Sequence, residues 1–349
     1  MAGFRSNILA MAAYAPGEQP REDGVIKLNT NESPFPPSPR VFEAIRAALT
    51  GDRLRKYPEP LGHTFRHRVA PILGVDPDSI MIGNGSDDLL TIVTRAFVPE
   101  GGLMVSPTPS YILYRTLAEI QGARFQAVPF TPDWQLPNPW PVRGANLTFL
   151  PNPNSPSGTM IDHTAIRTLA EQTGGPLILD EAYADFAETN GLALAGRSII
   201  VTRSLSKSYG LAGIRFGYAL ADPSVIRELE KVKDSYNCDV LSLAAAAAAI
   251  EDQEYFQETR QQIRATRSRL AEALVGLGFQ VTPSHANFVW CRRSDRPLKP
   301  LYESLKARKI LIRYMNYAGY GDGLRISVGS DAEIDRFLEE LAPLLTGDV

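Results

Sequence analysis

The sequence predicts an α/β protein with one large, mainly parallel sheet and a smaller α+β domain. Between about residues 40 and 245, short apolar runs alternate with helical patterns. Most of these runs are continuous rather than alternating, as expected for strands buried on both faces. After about residue 245, long helical stretches are followed by short strands and helices. The first pattern is typical of an open sheet with helices on both sides.

Seven apolar runs give the predicted strands of the large sheet. In chain order they are SIMIG (79–83), LMVS (103–106), FQAV (125–128), LTFL (147–150), LILD (177–180), SIIVT (198–202) and FGYAL (216–220). Helical patterns such as DDLLTIVTRAF and HTAIRTLAEQT lie between several of them. We therefore predict a seven-stranded sheet between two layers of helices.

Three segments are predicted along the chain. Residues 1–40 are rich in Pro and Gly and are expected to form an N-terminal arm. Residues 41–245 hold the large sheet, and residues 246–349 form the small C-terminal domain.

Composition excludes several classes of function. The 36 Lys and Arg residues nearly balance the 39 Asp and Glu residues, and no basic run of five or more occurs. This argues against nucleic acid as a partner. No apolar run approaches the roughly 18 residues of a membrane helix. Cys238 and Cys291 lie far apart without a CxxC motif, so we expect two buried thiols in a cytoplasmic protein.

Polar clusters follow five of the predicted strands. They are GNGSDD (83–88), PTPSY (107–111), PNPNSPSG (151–158), Asp180 and SLSK (204–207). Ligands of open parallel sheets bind beyond the carboxyl ends of the strands. We therefore expect the five clusters to converge on one site at one edge of the sheet.

Two residues of these clusters carry distinctive chemistry. Lys207 lies in SLSKSYGLAGIRFGY, between Ser206 and a run of small residues. A lysine desolvated there has a lowered pKa and acts as an amine nucleophile, although most lysines are solvated surface residues. Asp180 ends a buried strand, which is costly for a carboxylate unless a cation pairs with it. Capping of the next helix is the structural alternative for Asp180.

A carboxylate, a nucleophilic lysine and a phosphate cradle together describe a site for pyridoxal 5′-phosphate. GNGSDDLL provides a glycine turn that opens a helix, with backbone N–H groups available for a phosphate. Ser204, Ser206 and Arg215 add hydroxyl and guanidinium donors.

These motifs resemble a known family. SLSKSYGLAGIRFGY resembles the lysine motif of fold-type I pyridoxal-phosphate aminotransferases. LNTNESPFPPSP, YPEP, PNPNSPSG, LDEAYADF and LRISVG are most similar to the histidinol-phosphate aminotransferase group. The resemblance covers nearly the whole chain. It implies the fold-type I architecture, a homodimer whose arm joins the dimer contacts, and transfer of an amino group from histidinol phosphate to 2-oxoglutarate.

The resemblance also implies roles for residues of the cofactor site. Lys207 would bind the cofactor covalently and later move a proton, and Asp180 would pair with the pyridine nitrogen. Tyr183 would hydrogen-bond the phenolic oxygen, and Tyr111 would stack on the ring. Tyr57, in YPEP, would reach the phosphate of the partner subunit. The residues implied to hold the phosphate within the subunit are Ser86, Asp87, Ser204, Ser206 and Arg215.

On the substrate side, the resemblance implies that Arg325 binds the carboxylate of the substrate. Arg313 and Tyr14 would support the far end of the substrate, and Asn31 would also bind the substrate. One departure concerns PNPNSPSG, where Ser155 stands directly before the proline and the family often has asparagine. Either Asn154 or Ser155 contacts the cofactor ring, and Asn154 is favoured.

Three other site motifs lack residues that they require. Ser204 to Lys207 fits S-x-x-K, but the S-D-N and K-T-G tripeptides of serine acyl-transfer enzymes do not occur. GNGSDD lacks the last glycine of G-x-G-x-x-G. HTFRH (63–67) spaces two histidines at i, i+4 without the glutamate of H-E-x-x-H, so no metal is expected.

Three alternative functions stay open at this point. An aromatic amino acid aminotransferase and a threonine-phosphate decarboxylase of the same fold would use the same lysine, aspartate and phosphate cradle. A regulator that binds the cofactor without catalysis would need a DNA-binding extension and a basic face. The resemblance begins within about fifteen residues of Met1, which leaves no room for that extension.

Overall fold

A computed structural model describes residues 3–12, 17–20 and 22–346. The strands are, in chain order, β1 (Ile26–Lys27), β2 (Ile80–Gly83), β3 (Leu103–Thr108), β4 (Arg124–Pro129), β5 (Leu147–Pro151), β6 (Leu177–Asp180), β7 (Ile199–Ser204), β8 (Gly217–Leu220), β9 (Gln280–Thr282), β10 (Phe288–Arg292), β11 (Ile310–Leu311), β12 (Arg313–Tyr317) and β13 (Gly321–Ser327).

The helices are, in chain order, α1 (Ser6–Ala10), α2 (Pro39–Ala48), α3 (Gly51–Leu54), α4 (His63–Leu73), α5 (Ser86–Phe97), α6 (Leu113–Gln121), α7 (His163–Gln172), α8 (Pro223–Glu230), α9 (Val240–Glu251), α10 (Gln253–Gly276), α11 (Lys299–Ala307) and α12 (Asp331–Thr346). Short 3-10 helices span Pro77–Ser79, Ala184–Phe186 and Leu192–Leu194.

The large sheet has seven strands in the order β2-β8-β7-β6-β5-β3-β4. Only β8 among them runs antiparallel to its neighbours, and the other pairs are parallel. Its strands are apolar and mostly buried, because separate hydrophobic clusters cover the two faces of the sheet. The predicted fold class is confirmed, and each of the seven apolar runs forms a strand.

The second sheet has the order β12-β13-β10-β9 and is antiparallel. Its apolar residues pack with those of α10, α11 and α12, and Leu28 of the N-terminal segment belongs to the same core. The predicted boundary between residues 245 and 246 falls inside α9, which packs against α2 and α4. The division into three segments stays a prediction. Within the described ranges, no helix combines the length and the hydropathy that a membrane span requires.

Gly217 provides a test of how tightly the large sheet packs against α5. A Cβ at this position would lie 2.7 Å from the carbonyl oxygen of Arg203 and 2.8 Å from the backbone nitrogen of Ser86. Both atoms belong to backbone that cannot move aside. We expect Gly217→Ala to lower the free energy of unfolding by about 1–3 kcal/mol, as overpacking does, in thermal or urea denaturation.

Gly213→Ala is the matched control, because a Cβ there meets nothing within 4 Å. Equal stability of the two variants would show that β8 and α5 can separate without cost.

Candidate active site

A cavity of about 350 Å³ lies at the carboxyl ends of the large-sheet strands. Residues of β12 and β13 form the opposite wall, so the cavity lies between the two sheets. All five polar clusters contribute to it, which confirms that they converge. The lining residues from these clusters include Ser86, Asp87, Ser110, Tyr111, Ser155, Asp180, Ser204, Ser206 and Lys207.

The parallel pairing of β6 with β7 brings the two key residues to the same edge. Asp180, the last residue of β6, pairs with Thr202 of β7. β7 ends two residues later at Ser204, and the chain then turns through Ser206 to Lys207. The strand ends therefore place a carboxylate and an amine at one cavity although 26 residues separate them in sequence.

Lys207 lies in the wall of the cavity with its amine directed towards the N-terminal segment. Its Nζ donates a hydrogen bond to the carbonyl oxygen of Thr30 at 3.0 Å. Burial, together with the positive charge of Arg325, lowers the pKa of Lys207 to about 8, and the charges of Glu32 and Asp87 oppose this shift. A larger fraction of the amine is consequently neutral, and nucleophilic, near neutral pH.

Asp180 is 5% exposed and accepts hydrogen bonds from neutral donors. The hydroxyl of Tyr114 donates to Oδ2 at 2.7 Å, and the backbone N–H of Ala182 donates to Oδ1 at 3.2 Å. Burial raises the pKa of Asp180 to about 6, although the Tyr114 bond opposes this. In the part of the chain that the structure describes, no cationic side chain forms an ion pair with Asp180, so this buried carboxylate fits a positively charged ring nitrogen in the cavity.

The start of α5 forms an anion cradle. Gly85, at the N-cap, has φ +78°, and a Cβ there would lie 2.6 Å from Nη2 of Arg215. Nη1 of Arg215 donates to Oγ of Ser206 at 3.3 Å, and Nη2 lies 3.6 Å from Oδ2 of Asp87. Arg215 itself has φ +56°, a conformation that a side chain makes costly. A helix N-terminus, a hydroxyl and a guanidinium therefore surround a space that suits a phosphate.

Two tyrosines line the middle of the cavity. Tyr183 lies with its ring centre 6.0 Å from Nζ of Lys207, and its hydroxyl accepts a hydrogen bond from Nδ2 of Asn31 at 3.1 Å. Burial raises the pKa of Tyr183, so the hydroxyl keeps its proton and can donate it to an oxygen. The hydroxyl of Tyr111 donates to Oδ1 of Asp87 at 3.3 Å. Tyr183 and Tyr111 both line the cavity, and each can contact a planar ring that is bound there.

Asn154 and Ser155 make different contacts. Nδ2 of Asn154 donates to Oγ of Ser157 in its own loop and to the carbonyl oxygen of Pro109 in the loop after β3, whereas its Oδ1 is buried and has no hydrogen-bond partner among the described residues. Ser155 lines the cavity, and its Oγ accepts a hydrogen bond from Nη1 of Arg325 at 2.8 Å. Within the described part of the chain, Asn154 therefore keeps an unpartnered carbonyl oxygen and Ser155 lies in the cavity wall, so the preference for Asn154 stays a prediction.

Two arginines face the cavity from the small sheet. Arg313 and Arg325 are directly paired residues of β12 and β13. The guanidinium of Arg325 also donates to the carbonyl oxygen of Asn29 and lies over the ring of Phe288. Like charges on paired residues repel each other, so an anion between them is stabilised. Tyr14, the third residue expected there, lies outside the described residues.

Tyr57 is not part of the cavity of its own chain. It is 80% exposed, and its ring stacks on that of Tyr236 with 4.4 Å between centroids. An exposed, oriented tyrosine is what a contact with a second subunit requires.

Sequence reasoning missed several residues of the site. Tyr114 lies three residues after Tyr111 on the face of α6 that meets Asp180, and its ring stacks on Phe149. The i, i+3 spacing of two tyrosines after a predicted strand was the available signal. Asn29 and Thr30 act through backbone carbonyls, which side-chain chemistry does not reveal.

Metal ligation finds no support in the described ranges. No group of three or more His, Cys, Asp or Glu side chains in them is placed to hold an ion. His63 and His67 are exposed on α4 with ring centroids 6.3 Å apart.

The chain belongs to the class I and II aminotransferases, since residues 23–341 match the family described as Aminotransferase class I and II. Among individual proteins, it is 51% identical to histidinol-phosphate aminotransferase of Rhodopirellula baltica, over 95% of this chain and 93% of that protein. It is 45% identical to the enzyme of the same name from Geobacter sulfurreducens, over 98% and 99% of the two chains. The solved structure of histidinol-phosphate aminotransferase from Sinorhizobium meliloti in complex with pyridoxal-5′-phosphate superposes with a TM-score of 0.87 at 28% identity, over 99% and 98%.

The pKa of Lys207 leads to a pH-dependence that a binding experiment measures. Because the neutral amine attacks an aldehyde, the rate of covalent uptake of pyridoxal 5′-phosphate by the apoprotein should rise with pH around a midpoint of about 8. Stopped-flow absorbance gives this rate. Arg325→Met removes a nearby positive charge and should move the midpoint to higher pH.

Arg68→Met is the control, because Arg68 lies on α4 and its charge pairs with Glu251. A wild-type midpoint near 10.5, the ordinary value of a lysine, would contradict the effect of burial.

Proposed function

We propose that this chain is a pyridoxal-phosphate enzyme that transfers the amino group of histidinol phosphate to 2-oxoglutarate. The observation that carries the proposal is one cavity in which a lysine of lowered pKa and a buried aspartate face a pair of arginines. The family and the names of relatives at 43–51% identity over nearly the full length support it.

The residues present fit the cofactor. Bound pyridoxal phosphate supplies a cationic ring that withdraws electrons from the substrate Cα. Asp180 is the group that keeps the ring nitrogen protonated, and Tyr114 orients its carboxylate. Tyr183 donates its hydroxyl proton to the phenolic oxygen, and the N-terminus of α5 with Ser204, Ser206 and Arg215 holds the phosphate.

Lys207 has two tasks in this proposal. Its neutral amine would hold the cofactor covalently through the aldehyde carbon. When it is not bound to the cofactor, the same amine would carry a proton between the substrate Cα and the cofactor C4′. A pKa of about 8 suits both tasks, because an acid–base group works best when its pKa is near the working pH.

The arginine pair suits two unlike substrates. Histidinol phosphate presents one phosphate dianion, whereas glutamate presents two carboxylates. Arg325 binds the α-carboxylate or the phosphate as a bidentate fork, and Arg313 adds a second charge at the same wall. Within the described residues Arg313 forms no ion pair and no hydrogen bond, so its charge is available to an anion.

A homodimer completes the proposed site. Tyr57 does not line the cavity of its own chain and is exposed, and we assign its hydroxyl to the phosphate of the partner subunit. A cytoplasmic location stays a prediction.

The reaction itself is tested by comparing substrates. Purified protein is assayed with histidinol phosphate and 2-oxoglutarate for glutamate, with phenylalanine in place of histidinol phosphate, and with threonine phosphate for CO₂. Glutamate formed fastest from histidinol phosphate supports the proposal. Faster turnover of phenylalanine, or release of CO₂, assigns the site to one of the two alternatives instead.

Arg313→Ala tests which anion the arginine pair serves. We expect kcat/KM for histidinol phosphate to fall by a factor of about 10–100, the effect of one lost charge-assisted hydrogen bond. Phenylalanine, which has a neutral side chain, should lose much less. Arg325→Lys should weaken both half-reactions, because a lysine cannot form the bidentate contact. Equal losses for both substrates with Arg313→Ala would remove Arg313 from phosphate binding.

Subunit mixing tests the role of Tyr57. In a dimer of one Tyr57→Phe subunit and one Lys207→Ala subunit, a contact between subunits leaves one site intact and puts both changes in the other. Activity should therefore recover on mixing, provided that Tyr57→Phe alone is impaired. The matched control mixes Lys207→Ala with a Tyr57→Phe/Lys207→Ala double variant and should recover nothing. Absence of recovery after proven subunit exchange would contradict a shared site.

A further inference from the structure

A buried ion cluster lies behind the cavity and joins the residues that follow Asp180 and Lys207. Nη1 of Arg203 donates to Oε2 of Glu181 at 2.7 Å, and its Nη2 donates to Oδ1 of Asp185. The other carboxylate oxygen of Asp185 accepts a hydrogen bond from the hydroxyl of Ser208. The side chains are 7% exposed for Arg203, 0% for Glu181 and 15% for Asp185.

Residues of the cluster are the sequence neighbours of residues that line the cavity. Glu181 follows Asp180, and Ser208 follows Lys207. Arg203 lies on β7, one residue before Ser204 of the phosphate cradle. One guanidinium therefore connects the end of β6, the end of β7 and the loop of the lysine.

We propose that Arg203 is a positioning residue, which fixes the carboxylate of Asp180 and the amine of Lys207 relative to each other through Glu181 and Asp185. The inference rests on the proposed function, since it assigns those two groups to one cofactor. Reactive groups must be held within about 0.5 Å of their working geometry, and neighbouring hydrogen bonds provide that restraint.

Electrostatics explains why the cluster holds a single arrangement. Burial raises the pKa of Glu181, and the charge of Arg203 opposes this shift. The backbone N–H of Gly191 donates to the remaining oxygen of Glu181. The hydroxyl of Tyr218 also lies beside the guanidinium, and the nearby charges of Asp185 and Glu181 raise the pKa of Arg203. Without Arg203, two carboxylates would repel each other in a buried space and their segments would have to move.

A contribution to folding stability does not by itself explain the presence of such a cluster. Buried ion pairs cost desolvation, and well-packed apolar replacements are often neutral or stabilising. A geometric role is stronger here, because the fork of an arginine fixes direction as well as charge. If the cluster only stabilises the fold, a mild substitution in it lowers the melting temperature. If it positions Asp180 and Lys207, the same substitution also changes cofactor binding.

The chain contains a matched control for this distinction. Arg66 on α4 has a side chain that is 5% exposed, and it pairs with Asp78 at 2.9 Å and with Glu230 at 3.1 Å. It is thus another buried arginine between two carboxylates, but it is not among the residues that line the cavity. Its replacement measures the cost of losing such a cluster without a connection to Asp180 or Lys207.

The experiment compares Ser208→Ala, Arg203→Lys, Arg203→Met and Arg66→Met with wild type. For each protein we would measure the melting temperature without cofactor, the affinity of the apoprotein for pyridoxal 5′-phosphate, and the pH at which the absorption band of the bound cofactor titrates. The charged groups that act on Lys207 directly, namely Arg325, Arg215, Glu32 and Asp87, are unchanged in all variants. A change in the titration then reports on the position of Lys207.

Ser208→Ala is the decisive variant, because it removes one hydrogen bond and leaves every charge of the cluster in place. We expect it to move the titration by about half a pH unit or more and to weaken cofactor binding several-fold, with little change in melting temperature. Arg203→Met should do more, and Arg203→Lys should recover part of the loss. Arg66→Met should lower the melting temperature and leave the titration and the affinity unchanged. If Arg203→Met does not fold, the other variants carry the test.

The inference is overturned if Ser208→Ala and Arg203→Lys titrate and bind cofactor as wild type does, whether or not they lower the melting temperature as Arg66→Met does. A failure of the proposed function gives a different experimental result from a failure of this inference alone. In that case wild-type apoprotein itself takes up no pyridoxal phosphate, and both the proposed function and the inference fall together.

Discussion

The parallel pairing of β6 with β7 is the constraint on which the site depends. Its register sets Asp180 beside Thr202, so the two strands end within two residues of each other. Both strands are buried, so they cannot shift without exposing apolar side chains or stranding backbone donors. These two strand ends position Asp180, Ser204 and Lys207, and β8, which pairs with β7, packs at Gly217 against the helix start at Ser86.

The small sheet and the N-terminal segment complete the cavity from the other side. Residues 29–31 lie between the two walls and touch both. The carbonyl of Asn29 meets Arg325, that of Thr30 meets Lys207, and the amide of Asn31 meets Tyr183. The segment thus links the groups that bind substrate to the groups that bind cofactor. The desolvation that lowers the pKa of Lys207 depends on this enclosure.

Sequence predicted the large features because each has a local signal. Continuous apolar runs predicted the seven strands. The rule that ligands bind beyond strand ends predicted the position of the cavity. Lys207, Asp180 and the anion cradle followed from the chemistry of single residues. The direction of a side chain within a loop has no such signal, which is why the sequence leaves both Asn154 and Ser155 as candidates for the ring contact. Contacts between distant residues, such as Tyr114 with Asp180 and Arg203 with Glu181, depend on packing and became visible only in three dimensions.

The most direct test of the account is the position of the covalent bond to the cofactor. Wild-type protein would be loaded with pyridoxal 5′-phosphate, reduced with borohydride and digested, and the labelled peptide would be identified by mass spectrometry. The account predicts the added mass on Lys207 alone, with none in the Lys207→Ala variant. A label on Lys231 or Lys233, or no label on a protein that still transfers amino groups, would contradict it.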